Sequence, residues 1–355
     1  MRGLKIFSLG FFTYLFLSLY SNYFDSELRD VIYSRGFEPA MIFLGSLMAV
    51  VFFLFFYLGY LSDWKLPTWA MLWLFFMLSF YEFPVGPLLA LLLITAHTIR
   101  LDPFRRFPEV AILLSILTPL LLYARYGIPL FERQLRPVLV GPLVLLALLA
   151  VVGISYSRIP VVWKTSLLAV YTVVFFLGAF RSLLLLIYLS YLFSVYFSNP
   201  ELGKKSSIIG VFFLGVIFWM SGGFSTLMIR VGFTFLVFHN LVRLSMPWGL
   251  FHGALILSSN PRHIISQLFG ASTNYTYFFF GQAVADFGIF GLVEAFLLGT
   301  LLRESEASPQ SLSLTLSVML YCLDSGIDAL SLLFIIGSIS FERLHHEEKK
   351  WSPPT

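Results

Sequence analysis

Charge is what this sequence has least of. Asp, Glu, Lys and Arg make up 12% of its 355 residues, 58% are hydrophobic, and the mean hydropathy is +0.86. A soluble domain carries about 25% charged residues, and half that share cannot cover a water-soluble globule of this size. Cysteine is nearly missing too. Cys322 stands alone, which excludes a disulfide scaffold. There is no Gly-X-Y repeat, and so apolar a chain is not disordered. The signatures of soluble enzymes are absent: no Walker loop, no CxxC pair, no HExxH, no GxGxxG and no Asp-x-Asp motif for a metal-held nucleotide sugar. No cofactor and no metal are expected.

What is present is a set of long apolar runs. Met41–Leu61 is one of them. Backbone groups in lipid must be paired within the protein, so spans are helices or a closed barrel. Barrel strands would alternate over about ten residues, and these runs do not. The expected fold is all-α: a polytopic membrane protein with about 12 spans, forming a single transmembrane domain over 1–355. Nine spans are placed near 5–24, 40–61, 66–81, 84–98, 109–124, 138–154, 161–179, 182–198 and 207–222. The third and fourth are short and flank Glu82-Phe83-Pro84-Val85-Gly86-Pro87, a strong turn signal. They read as a hairpin.

The charges that exist set the topology. Arg2, Lys5, Arg100, Arg105, Arg106, Arg158, Lys164, Lys204 and Lys205 fall on one side if the amino terminus is cytoplasmic. That places the protein in the cytoplasmic membrane with both termini inside and 343–355 as a flexible cytoplasmic tail. Net charge is +4, but the basic residues are dispersed, so no nucleic-acid partner is expected.

The stretch 224–277 admits two topologies. In one, Thr226–Val242 spans the membrane and Ser311–Phe341 is a single last span. In the other, 224–276 is an external segment that lies on the bilayer and dips into it. Ser311–Phe341 then divides at Asp324-Ser325-Gly326-Ile327-Asp328. Charge counting does not separate them. Burying Arg230, His239, Asn240 and Arg243 in one lipid-facing helix is costly, whereas an interfacial helix tolerates them, so the external segment is preferred.

Three groups of residues could carry chemistry. Gln282 and Asp286, four apart, share a helix face, and Glu294 lies in the same half of that helix. An intramembrane carboxylate is a functional candidate by default, although Asp286 could equally pair with a buried arginine or cap a helix. Arg181, Arg230, Arg243 and Arg262 lie where positive-inside bias disfavours them. Guanidinium groups bind phosphate bidentately, and a lipid-linked pyrophosphate sits at that depth; contact with lipid headgroups is the plainer reading of any one of them. His252, between helix breakers in Pro247-Trp248-Gly249-Leu250-Phe251-His252-Gly253, could act as a general base toward a sugar hydroxyl. His239 and His263 read as structural. Asn274, in a polar tract, and Gln282 are candidate sugar contacts. His345-His346-Glu347-Glu348 looks like a metal cluster but reads better as a solvated tail.

The carboxyl-terminal half, roughly 175–302, resembles the O-antigen polymerase family, the oligosaccharide repeat-unit polymerases of bacteria and archaea. The resemblance rests on Ala179-Phe180-Arg181 opening a span, Gly222-Gly223 before Ile229-Arg230, Met246–Gly253, and Ala285-Asp286-Phe287-Gly288-Ile289-Phe290-Gly291. It implies a many-helix fold with a large external loop. The implied reaction joins lipid-linked oligosaccharides on the outer face, with the lipid pyrophosphate leaving and no metal. The substrates would be polyprenyl- or dolichyl-pyrophosphate-linked oligosaccharides within membrane lipid, and a chain-length regulator or a flippase are candidate partners. By position, Arg181, Arg230 and Arg243 take the pyrophosphates, and His252 corresponds in general placement to a loop histidine of related ligases. The alternative is a lipid-oligosaccharide flippase or other multi-span transporter, which predicts two similar halves with matching broken spans. No such symmetry is visible. An intramembrane hydrolase ranks lower, since Asp324 and Asp328 sit on a turn.

Overall fold

The computed structural model describes residues 2–34, 42–82, 84–220 and 222–351. Helices account for every regular element among them. Among the described residues, seven helical stretches, Gly281–Ser305 counted as one, are long and apolar enough to cross a membrane, and Val85–Thr98 and Val161–Leu177 are shorter apolar helices. The protein is therefore a multi-pass helical membrane protein. In chain order the helices are α1 (Arg2–Phe24), α2 (Ser26–Ser34), α3 (Phe43–Leu61), α4 (Thr68–Leu78), α5 (Val85–Thr98), α6 (Pro103–Arg106), α7 (Pro108–Tyr126), α8 (Arg136–Tyr156) and α9 (Val161–Leu177). Then come α10 (Arg181–Ser198), α11 (Pro200–Met220), α12 (Gly223–Ser245), α13 (Pro261–Leu268), α14 (Gly281–Phe287), α15 (Gly291–Ser305), α16 (Pro309–Ser325) and α17 (Ala329–Trp351).

The short third and fourth runs form α4, extended by a 3-10 turn at Ser79–Glu82, and α5. The ninth run begins earlier than its hydropathy suggests, because the Asn199 side chain accepts from the backbone N–H groups of Glu201 and Leu202 and caps α11. Lys204 and Lys205 thus lie inside its first turns. Residues 40 and 41, read as the start of the second run, and Ser221 lie outside the described residues.

The chain forms two compact units. The first comprises Met1–Pro87, Phe218–Glu304 and Met319–Leu333. Its core is aromatic. Phe7 and Phe11 of α1 meet Phe56 and Phe53 of α3 at ring-centroid distances of 4.6 and 4.7 Å. The extended run Phe278–Phe280 packs against them, with Phe279 5.1 Å from Phe7 and Phe278 5.2 Å from Phe11. Apolar burial gives little drive between helices in lipid, so close packing of such rings has to supply the cohesion. Glycines do the same between α3 and α15: a Cβ at Gly59 or Gly299 would collide with the carbonyl of Phe296 or Phe56. Past the end of α3, Asp63 accepts from Arg303 in the last turn of α15 at 2.5 Å, and that hydrogen bond holds the Asp63 carboxyl below its ordinary range.

The ambiguous run forms one 23-residue helix, α12. It packs along α1: the Ser21 hydroxyl donates to the Met228 carbonyl, the Asn22 amide donates to the Gly232 carbonyl, and the Ser18 hydroxyl meets the Val231 carbonyl. Against α3, the Gly45 N–H donates to Nδ1 of His239. By length and composition α12 is one of the helices able to cross a membrane. Two of its polar residues find partners here: His239 accepts from Gly45 through Nδ1, and Asn240 donates to the Leu236 carbonyl of its own helix.

The second unit comprises Leu88–Ile217, Ser305–Val318 and Phe334–Thr355. Serine hydroxyls knit it together. Ser155 pairs with Ser190 and donates to Ser313, Ser338 donates to Ser311, and Tyr156 pairs with Ser338 at 2.7 Å. Buried Lys164 donates to Ser194 and to the Ile154 carbonyl, both at 2.8 Å. Interhelical hydroxyl bonds of this kind are worth about 0.6 kcal/mol each in a membrane bundle. Away from the apolar core, Asp102 caps α6 and faces Arg105 and His345, with burial raising its carboxyl above the ordinary range. Arg105 also holds Glu342 with both carboxylate oxygens. His345 therefore belongs to a charge cluster, and no group that could hold a metal occurs among the described residues.

Candidate active site

Asp286 organises the most elaborate polar structure in the first unit. It lies on α14, fully buried. Its Oδ1 accepts from the backbone N–H groups of Gly253 (3.1 Å) and Leu255 (3.0 Å), and its Oδ2 accepts from Ile256 (2.9 Å). Nε2 of Gln282, one turn earlier, donates to the same Oδ2 at 2.8 Å. All these donors converge on one carboxylate because the loop 246–256 wraps the end of α14. The backbone of Leu250 and Phe251 donates to the Ala285 carbonyl, that of His252 to the Asp286 carbonyl, and that of Ile289 to the Pro247 carbonyl.

Glycine makes this wrap sterically feasible. At Gly249 the backbone has φ +84°, and a Cβ there would overlap the Asp286 carbonyl. The single helix expected to carry Gln282, Asp286 and Glu294 is in fact interrupted by a 3-10 turn at Gly288–Phe290. Gly288 has φ +58°, and any Cβ would strike the Pro247 carbonyl. The Met246–Pro247 bond is cis.

His252 stands at the crest of this loop. It adopts φ +49°, is exposed, and its imidazole has no protein partner among the described residues. Left-handed backbone is uncommon for a side chain of this size, and its persistence means the surrounding bonds over-determine it. Arg243, in the last turn of α12, is also exposed and has no ion pair among the described residues. Three residues separate it from the cis-proline turn that leads to His252.

Two other candidate arginines of this unit, Arg230 and Arg262, are already partnered. Arg230 pairs with Asp324 at 2.5 Å, and Tyr14 donates to the other oxygen of that carboxylate. Arg262 pairs with Asp328 at 3.4 Å and donates through Nε to the Ser325 carbonyl. Both acids lie at the break between α16 and α17, where the sequence marks a turn, and Tyr277 closes it by donating to the Ile327 carbonyl. Asn274 is exposed. Gln282 is not exposed at all, and it reaches Asp286 instead of facing open space. His263 engages Gln267 at 3.0 Å.

Arg181 belongs to the second unit. It is the first residue of α10, exposed and without an ion pair among the described residues. Ala179, two residues earlier, turns the chain with φ +60°. The exposed guanidinium thus adds to the positive end of a helix.

Sequence reasoning found most of these side chains but missed what holds Asp286. Its donors are backbone N–H groups from a segment some thirty residues upstream, which carry no residue-type signature. It also missed Asp324 and Asp328 as counterions.

Comparison with known proteins gives one match. The family model described as Putative O-antigen polymerase matches residues 6–325. No curated protein matches, and no solved structure matches. The match extends from α1 to the end of α16, so it takes in the first half of the chain along with the clamped loop. This chain belongs to the O-antigen polymerase family.

Proposed function

We propose that this chain is a metal-independent membrane glycosyltransferase that joins lipid-linked oligosaccharide units at the outer face of the cytoplasmic membrane, with both of its termini on the cytoplasmic side. The reading is carried by one observation: a loop whose backbone is pinned by a buried carboxylate carries an exposed imidazole and follows an exposed guanidinium, neither with an ion pair among the described residues. Polar groups placed so rigidly next to an apolar bundle suit an amphipathic substrate.

In this mechanism the acceptor hydroxyl attacks the anomeric carbon of the donor, and the bond from that carbon to the pyrophosphate oxygen breaks. The pyrophosphate departs with the electron pair. Arg243 neutralises its developing charge, and Arg181 is a separate candidate contact for phosphate. His252 takes the hydroxyl proton. Asp286 has a donor on every side and serves to fix the loop rather than to move a proton. Arg230 and Arg262 would have to exchange Asp324 and Asp328 for phosphate oxygens to take part. Asn274, exposed, is available to a sugar.

His252→Ala is expected to lower chain lengthening about 10²–10⁴-fold, the usual worth of a positioned base. The acceptor concentration at half-maximal rate should stay nearly unchanged. An in vitro assay with purified lipid-linked oligosaccharide measures both, and a wild-type rate would remove His252 from the mechanism.

Sidedness has its own test. In intact cells, an Asn274→Cys variant should react with an impermeant maleimide, because Asn274 is exposed while the natural Cys322 is buried. Reaction only after the membrane is opened would place the segment inside and end the outer-face reading.

A further inference from the structure

Gly249–Ser258 is not helical, yet every one of its backbone N–H groups has an acceptor inside the protein. Gly249 donates to the Ser245 carbonyl, Leu250 and Phe251 to that of Ala285, and His252 to that of Asp286. Gly253, Leu255 and Ile256 donate to the Asp286 carboxylate. Ala254, Leu257 and Ser258 donate to carbonyls of the loop itself. A loop in water needs no such closure, because water completes the bonds the chain leaves open. At membrane depth, irregular backbone is tolerated only when it is satisfied by the protein. The same contacts repair the break after α14. That helix stops at Phe287, which would leave its last carbonyls without donors, and the loop supplies them.

The side chains go the other way. No charged residue occurs between Arg243 and Arg262. Trp248 is 68% exposed, and Leu250 and Leu257 are exposed as well. From Met246 to Leu257, His252 is the one exposed side chain that can carry charge. Phe290 of the 3-10 turn, 59% exposed, stands 6.0 Å from Trp248, ring to ring. Leu244, just before the loop, and Val293, just after the 3-10 turn, are exposed too, on helical stretches long and apolar enough to cross a membrane. The apolar edge of the loop is therefore continuous along the chain with surfaces that face lipid.

We infer that this loop is inserted into the membrane interface, with Trp248, Leu250, Leu257 and Phe290 seated among bilayer lipids at the boundary between headgroups and acyl chains. Indole and aliphatic side chains without charge suit that depth, and the closed backbone lets the irregular chain lie there. The partner is bulk lipid. The inference holds for either side of the membrane and needs no substrate. Its consequence for catalysis rests on the function proposed above: the loop would carry His252 at the depth of a lipid-linked headgroup.

The test places a fluorophore on the apolar edge. Cys322 is buried, so a Leu250→Cys or a Leu257→Cys protein takes a thiol-reactive bimane at one site. Both leucines are exposed, so neither change opens a cavity, and each variant stands in if the other does not fold. The labelled protein is placed in phosphatidylcholine nanodiscs without any lipid-linked oligosaccharide. Phosphatidylcholine bearing a nitroxide high on its acyl chain should quench the bimane at both sites. Aqueous iodide should leave it nearly unchanged.

Quenching by iodide and not by the nitroxide lipid would put the loop in water and overturn the inference. Quenching by neither would mean that protein covers the edge, which overturns it as well. Loss of the lipid quenching when polyprenyl phosphate is added would make the edge a groove for one substrate chain and end its assignment to bulk lipid. None of these readings uses chain lengthening. A wild-type protein that lengthens no chains would end the polymerase reading and leave the inserted loop standing.

Discussion

Replacing Arg243 with alanine is expected to reduce chain lengthening about 10²–10³-fold, with the protein still folded. The magnitude is that of removing one preorganised donor from the site where negative charge develops. Arg243 is exposed and unpaired, so its loss strands no counterion and opens no cavity. Arg243→Lys should recover only part of the rate, because an ammonium cannot grip two phosphate oxygens in a planar fork. Arg181→Ala is expected to fall in the same range for the same reason. Arg230→Ala and Arg262→Ala should behave differently. Each abandons a carboxylate, on Asp324 or Asp328, that is less than a quarter exposed, so thermal stability should drop along with activity. Product length on a gel and a melting curve in detergent separate the two classes. Wild-type chain lengthening by Arg243→Ala would sink the pyrophosphate assignment for α12.

The second large effect concerns stability. Asp286→Ala leaves the N–H groups of Gly253, Leu255 and Ile256 without their acceptor and frees the Gln282 amide. At about 1–3 kcal/mol for each buried donor, partly relieved as the loop relaxes, the loss should reach about 3–6 kcal/mol. That is a large fraction of the 5–15 kcal/mol typical of a folded protein. Asp286→Asn keeps one acceptor oxygen but turns an NH2 group toward other donors, so an intermediate loss is expected. Denaturant titration in detergent measures the difference. Equal stability of Asp286→Ala and wild type would mean that the loop is held by its carbonyl contacts alone.

These two residues show what could be read in the sequence. The apolar runs were legible because lipid demands helices, and α1, α3, α7, α8 and α10 fall where hydropathy puts them. The break at 324–328 was legible because two acids and a glycine cannot continue an apolar helix. The pairing of Gln282 with Asp286 followed from four-residue spacing. The course of α12 was not legible. Its polar residues argue against a lipid-facing span only until their partners are known, and Gly45 and Asp324 come from distant parts of the chain. The role of Asp286 was hidden for a related reason. Spacing along one helix says which side chains share a face, but not which backbone will fold over that face.

The acidic turn between α16 and α17 has a consequence for the electrostatic field of the molecule. Asp324 cancels Arg230 and Asp328 cancels Arg262, so at distances beyond the pairs themselves these four charges nearly vanish. Arg243 in the first unit and Arg181 in the second keep their charge uncompensated. On the function proposed above, attraction of a dianionic headgroup to the clamped loop then falls to Arg243 rather than to Arg230 or Arg262, and salt should weaken it within a screening length of about 8 Å at physiological ionic strength.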